Sequence, residues 1–136
     1  MATAIGSALA RCSGAAFLLV GTIHAPAVAA GSCSIGHFNF VFGSDTQTTI
    51  ITKAGARCMG HITGRTAVSG GSVAQPPAHG RAFIDGHQFG YQSVPGYAGQ
   101  DAFTIALTGT SYRRGRSGSY ALDGTTNISF AVQVAP

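Results

Sequence analysis

Tryptophan and glutamate are missing from this sequence, lysine occurs once, at position 53, and charged side chains make up only 9% of the 136 residues. A chain without glutamate and with one lysine has nothing from which to build the charged outer faces of ordinary amphipathic helices. Long helices are therefore not expected. Acids are scarce as well, since Asp45, Asp85, Asp101 and Asp123 are the whole supply. A glycosidase needs two carboxylates set across a cleft, and each of these aspartates stands beside a turn signal where Asp has a structural use. No Gly-x-Ser-x-Gly elbow stands between a strand and a helix, so a hydrolase triad has no carrier. Among the histidines His37, His61, His79 and His87 there is no pair at ligand spacing. Only a folded-back hairpin could bring His79 and His87 together near Asp85, on a turn tip without the supporting groups that orient imidazoles. The expectation is no catalytic residue, no metal and no cofactor.

What is abundant is glycine, 20 residues of it, together with Ser and Thr, a composition of strands joined by turns. The first 30 residues stand apart. Arg11, an apolar stretch from Ala15 to Val20 and small residues from Ala25 to Ala30 have the layout of a cleavable signal peptide, with a cut ahead of Gly31 and an earlier alternative at Ala25 and Ala27. A membrane anchor fits less well, because the apolar run falls short of the roughly 20 residues a spanning helix needs and Pro26 interrupts its end. Residues 1–30 are thus read as leader and 31–136 as one exported domain, periplasmic or extracellular and not membrane-spanning. Cleavage removes Cys12 and leaves Cys33 with Cys58, which outside the reducing cytosol are expected to form a disulfide. A lipid on Cys33 and two unbonded thiols are the competing readings. Residues 30–32 lack the Leu typical of a lipidation site, and exposed thiols would oxidise.

Period-two patterns then run through the mature part. Phe38, Phe40 and Phe42 predict a strand over 37–42 with three rings on one face. Further strands are expected at Thr48 to Lys53, at Cys58 to Thr63, and briefly at Ser72 to Gln75 between Gly70-Gly71 and Pro76-Pro77. Arg81 to Ile84 and His87 to Gln92, joined through Asp85-Gly86, give the strongest hairpin signal, with Phe89 and Tyr91 sharing a face. Phe103, Ile105 and Leu107 mark a half-buried strand, and Ile128, Phe130, Val132 and Val134 mark the last one. Between these two the sequence reads as a long polar loop, Gly109 to Thr126. About seven short antiparallel strands fit a sandwich of two sheets, with a closed barrel as the alternative.

The run Gln75-Pro76-Pro77-Ala78-His79-Gly80, the hairpin, Tyr91, then GYAGQDAFTIAL over 96–107 and TNISFAVQV over 126–134 follow one another in a telling order. Together they resemble a bacterial immunoglobulin-like or cadherin-like domain over about the last 60 residues, and the arrangement is similar to small exported proteins of Gram-negative bacteria. The resemblance implies an immunoglobulin-like sandwich in which Gly80, Gly96 and Gly99 are turn glycines, Tyr91 and Phe103 core aromatics, and Asp101 a turn-stabilising carboxylate. The chain departs from that pattern in its loop at 109–126 and its two cysteines. The expected role is a non-catalytic binding or structural module of the cell envelope, whose partner is an envelope polymer or another envelope protein. The candidate contact is Arg113, Arg114 and Arg116 flanked by Tyr112 and Tyr120, suited to phosphate, sulfate or acidic sugar groups through bidentate hydrogen bonds and stacking. A carbohydrate-binding or enzyme-accessory domain using the same loop is the alternative. Nucleic acid is not expected, because three arginines give a small counterion-release term. Asn127-Ile128-Ser129 matches a glycosylation sequon at the start of a core strand and is discounted.

Overall fold

The computed structural model describes residues 33–136. The expected leader lies outside them. Strands β1 (Ser34–Ile35), β2 (Thr46–Lys53), β3 (Arg57–His61), β4 (Thr66–Gln75), β5 (Gly80–Asp85), β6 (Gln88–Ser93), β7 (Gly99–Gly115) and β8 (Gly118–Ala135) account for the regular structure. Two sheets result, a five-stranded one in the order β1-β2-β8-β7-β4 and a three-stranded one in the order β3-β6-β5. The fold is an all-β sandwich.

Alternation decides which face of each strand is inside. In β7 the buried residues are Phe103, Ile105, Leu107, Gly109 and Ser111, and in β8 they are Thr126, Ile128, Phe130, Val132 and Val134. From the opposing sheet β6 supplies Phe89 and Tyr91. These meet as a pile of rings: Phe103 lies flat on Phe130 with centroids 4.5 Å apart, Tyr91 stacks on Phe103 at 5.7 Å, and Phe89 tilts against Phe130 at 5.0 Å. Burying an aromatic side chain contributes on the order of 1.5–3 kcal/mol, so this pile is a large part of the force holding the layers together. Cys33, just before β1, is disulfide-bonded to Cys58 in β3, with Cα atoms 5.4 Å apart. The bond ties the edge of the large sheet to the edge of the small one.

Four expectations are corrected. Residues 37–42 are not a laddered strand, although Phe42 is buried and Phe38 and Phe40 half-buried as the alternation requires. No backbone ladder joins them to a neighbouring strand; Thr46 of β2 reaches them by its hydroxyl, which donates to Asn39 O at 3.4 Å. Phe42 N instead donates to Ser111 Oγ at 3.1 Å, and the rings of Phe38 and Phe42 are held edge-to-face against Phe89, Phe130 and Phe40. Strand β4 begins at Thr66, so Gly70-Gly71 lies inside it, where a Cβ on Gly71 would come within 2.9 Å of Ile84 and 3.0 Å of Leu107. The hairpin is present but its two loop residues are Gly86 and His87, since Asp85 pairs with Gln88; Gly86 takes the positive φ of 55° that the first central position needs. Finally, the strands, eight among the described residues, are not all antiparallel. β2 runs parallel to β8 from Thr46↔Ile128 to Lys53↔Ala135, because the chain between them crosses to the other sheet and no tight turn sets their direction. Asp45 anchors the start of this pair by accepting from Asn127 N at 2.9 Å.

Candidate functional site

The fifth correction concerns the segment 109–126, which is not a loop. β7 and β8 stay paired to Gly115↔Gly118, leaving only Arg116 and Ser117 as the turn. Along β7 the ladder to β4 ends at Thr66↔Ser111, with one last bond from Tyr112 N to Arg65 O at 2.8 Å. Along β8 the last outside tie is Gly43 N to Thr125 O at 3.1 Å. Beyond these points the two strands have only each other. They form an arm that leaves the sandwich, and every residue from Tyr112 to Asp123 is exposed.

Register distributes the expected cluster over the arm. Arg113 stands directly opposite Tyr120, on the face that continues from the core side through Ser111↔Leu122. Tyr112 and Arg114 are two residues apart on the other face, opposite Ala121 and Ser119. Arg116 is at the tip. The five residues are thus brought to one arm but not to one face: each face carries one Arg and one Tyr. Tyr120 packs along Gly115, its Cε1 3.2 Å from where a Cβ would stand. Tyr112 and Tyr120 are 48% and 51% exposed and Leu122 39%, so the arm presents apolar surface beside its guanidinium groups. At its base Thr110 Oγ1 donates to Asp123 Oδ1.

Gly80 opens β5, where a Cβ would meet Gln92 O and the Tyr91 ring at 2.6 Å; Gly96, before β7, and Gly99, its first residue, have φ of 81° and 143°. Asp101 sits near the start of β7 on the inward side and accepts from Ala78 N, His79 N, Ala102 N and Tyr91 Oη, each at 2.9 Å. Burial opposes its ionisation, but the donors outweigh it, Tyr91 first, and hold the carboxyl below the usual range. Burial above all, and then Asp101, push the Tyr91 phenol up, so it remains a donor throughout the working range. This bond joins β6 of one sheet to β7 of the other. The resemblance implied Asp101 as a turn carboxylate and Tyr91 as a core aromatic, and Tyr91 is fully buried; the bond between the two carries no local sequence signal.

The histidines go separate ways. His79 stacks on Tyr97 with centroids 4.1 Å apart, and His87 lies beyond the opposite end of β5. His37 and His61 line one depression of about 310 Å³ beside Phe38, Asn39 and Phe89. No group of three or more metal-ligating side chains is assembled among the described residues. Nor is any helix among them long and apolar enough to cross a membrane. No protein-family model matches the chain, and no curated protein matches it.

Proposed function

We propose that this chain is a non-catalytic, exported binding module of the cell envelope, immunoglobulin-like in type, that grips an anionic envelope polymer with the β7–β8 arm. The observation that carries the proposal is the arm itself: two strands continue past their last neighbours with an exposed Arg and Tyr on each face and Arg116 at the tip. A two-stranded ribbon is marginal in water by itself, and this one covers no core, so its upkeep makes sense as a contact. Arginine forks match phosphate, sulfate and carboxylate groups, and the tyrosine rings supply flat apolar surface beside them. Export is supported by the disulfide, which persists in oxidising compartments. The immunoglobulin-like reading rests on the two-sheet sandwich and the order of turns from Gln75 onward.

Retention on immobilised dextran sulfate tests the arm. Replacing Arg113, Arg114 and Arg116 by Ser should lower the salt concentration of elution substantially while leaving the urea midpoint unchanged. Equal retention of the variant and the parent removes the arm from the proposal. The carbohydrate-accessory reading uses the exposed rings of Tyr112 and Tyr120, and it predicts retention on neutral polysaccharide that is lost on replacing both tyrosines by Ser.

A further inference from the structure

A second group of arginines lies on the outer face of the three-stranded sheet, away from the arm. Register sets three rows across β3, β6 and β5 on that face: Arg57–Gln92–Arg81, then Met59–Gly90–Phe83, then His61–Gln88–Asp85. The middle row is shaped by Gly90. A Cβ there would sit 2.2 Å from Phe83 Cζ, so the absence of a side chain lets the Phe83 ring lie down across the sheet. The guanidinium of Arg57 rests over that ring, 4.6 Å from its centroid, well inside the range of a cation–π contact. A guanidinium held over a ring by its charge still has N–H donors to offer a second partner. Arg81 flanks the same Gln92 from the other strand. With strands about 4.8 Å apart, the two arginine backbones stand roughly 10 Å from each other, close enough for both long side chains to reach one anion between them.

Three of the four aspartates are engaged elsewhere. Asp101 is held by Tyr91 and three amides, Asp45 by Asn127, and Asp123 by Thr110. Asp85, on the same face, stands two rows from Arg81, a separation along the strand of roughly 13 Å. Two guanidinium groups, one carboxamide and one aromatic edge therefore line a shallow depression of about 220 Å³ without an acid among them. That volume is below the 300–1,000 Å³ of drug-sized sites. It suits one ring-sized unit with a single acidic group.

We infer that the Arg57–Gln92–Arg81 row, walled by Phe83, is a binding site for a carboxylate-bearing sugar, one uronic acid residue free or within a chain. The carboxylate takes the two arginine forks, the Gln92 amide reaches ring hydroxyls, and the apolar edge of Phe83 meets the C–H side of the sugar ring. The site lies on a different sheet from the arm and does not depend on it.

Nuclear magnetic resonance titration of the disulfide-intact chain with galacturonate, trigalacturonate, galactose and inorganic phosphate tests this. Galacturonate should shift the Gln92 side-chain amide and the Phe83 ring; a stronger effect of the trimer identifies a residue within a chain as the source, and equal effects identify the free sugar acid. Arg81→Ser should weaken binding about tenfold, the weight of one charge-assisted hydrogen bond. Arg57→Lys, which keeps the charge and loses the stacked plane, should also weaken it, whereas the Arg113, Arg114 and Arg116 triple Ser variant should leave these shifts intact. Shifts confined to the arm, equal binding of galactose, unchanged affinity in both the Arg81 and Arg57 variants, or tighter binding of phosphate than of galacturonate would overturn the inference. Loss of binding in the arm variant alone would sink this site while leaving the arm proposal standing.

Discussion

Replacing Asp101 by Asn tests the polar joint between the two sheets. The carboxylate accepts four hydrogen bonds, and Oδ2 alone serves His79 N and Tyr91 Oη. In the amide one of the two acceptor atoms becomes an NH₂ group. If Asn keeps its oxygen toward Ala78 and Ala102, the NH₂ faces the His79 amide, and that donor is orphaned. Hydrogen bonds to a charged acceptor contribute about 1.5–3 kcal/mol each and neutral ones about 0.5–1.5. With partial access of water to Asp101, the lower ends of these ranges apply, and the expected loss is about 2–3 kcal/mol. In a domain near 100 residues each kcal/mol moves Tm by about 4–8 °C, so the variant should melt about 8 °C or more below the parent. Tyr91→Phe removes one donor and leaves the three amides in place, for a loss of about 1–2 kcal/mol. The double variant should cost less than the sum, since both changes delete the same bond.

The pH dependence has a definite sign. The folded pKa of Asp101 is depressed relative to its ordinary value near 3.9. Its contribution is therefore fully present above the unfolded pKa and is lost as pH falls through the folded one. Urea unfolding with the disulfide intact, at pH 7, 5, 3 and 2.5, should show the gap between parent and Asp101→Asn holding from pH 7 to 5 and closing below about pH 4. A gap that stays constant down to pH 2.5, or a loss below about 0.5 kcal/mol at pH 7, refutes this account of the joint.

Two further predictions concern the core and its covalent tie. Phe103→Ala should destabilise by about 3–5 kcal/mol in urea unfolding, because the ring is buried between Tyr91 and Phe130 and leaves a cavity that neither can fill; a loss under 1 kcal/mol would mean that the pile is not the centre of the core. Replacing Cys33 and Cys58 by Ser removes a link across a sequence separation of 25 and should cost about 3.5 kcal/mol by chain entropy, read as a lower urea midpoint with no change in far-ultraviolet circular dichroism. An unchanged midpoint would show that the inter-sheet tie does not constrain the unfolded chain.

Phe103, Ile105 and Leu107, and Ile128, Phe130, Val132 and Val134, were legible as core because a strand with one covered face must alternate, and all seven are buried. The same rule predicted the burial of Phe42 yet misread its backbone. Alternation follows from extended chain alone, whereas a ladder needs backbone-to-backbone pairing, and β2 meets residues 37–42 through a side chain, Thr46 Oγ1 donating to Asn39 O. Pairing direction was also hidden, since β2 and β8 are far apart in sequence and their parallel register follows from the crossover through the small sheet. The arm escaped for the opposite reason: a ribbon with no sheet over it needs no apolar face, so its alternation carries no hydrophobic signal. What could have found it is Gly115-Arg116-Ser117-Gly118, two residues between glycines, set between the strand-favouring Tyr112 and Tyr120.

The arginine clusters divide along the same line between local and long-range information. Arg113, Arg114 and Arg116 are adjacent in the chain and were visible, but their partition onto two faces depends on Arg113↔Tyr120, a register no local pattern specifies. Arg57 and Arg81 meet only because both pair with Gln92. Composition did hold one clue to the charge. With four aspartates and no glutamate, each carboxylate used as a structural acceptor leaves one cation without an acid. Asp45, Asp101 and Asp123 are so used, accepting from Asn127, from Tyr91 with three amides, and from Thr110. Of the seven Lys and Arg side chains among the described residues, five thus stand at two places, three on the arm and two on the outer face of the small sheet, while Lys53 and Arg65 lie outside both.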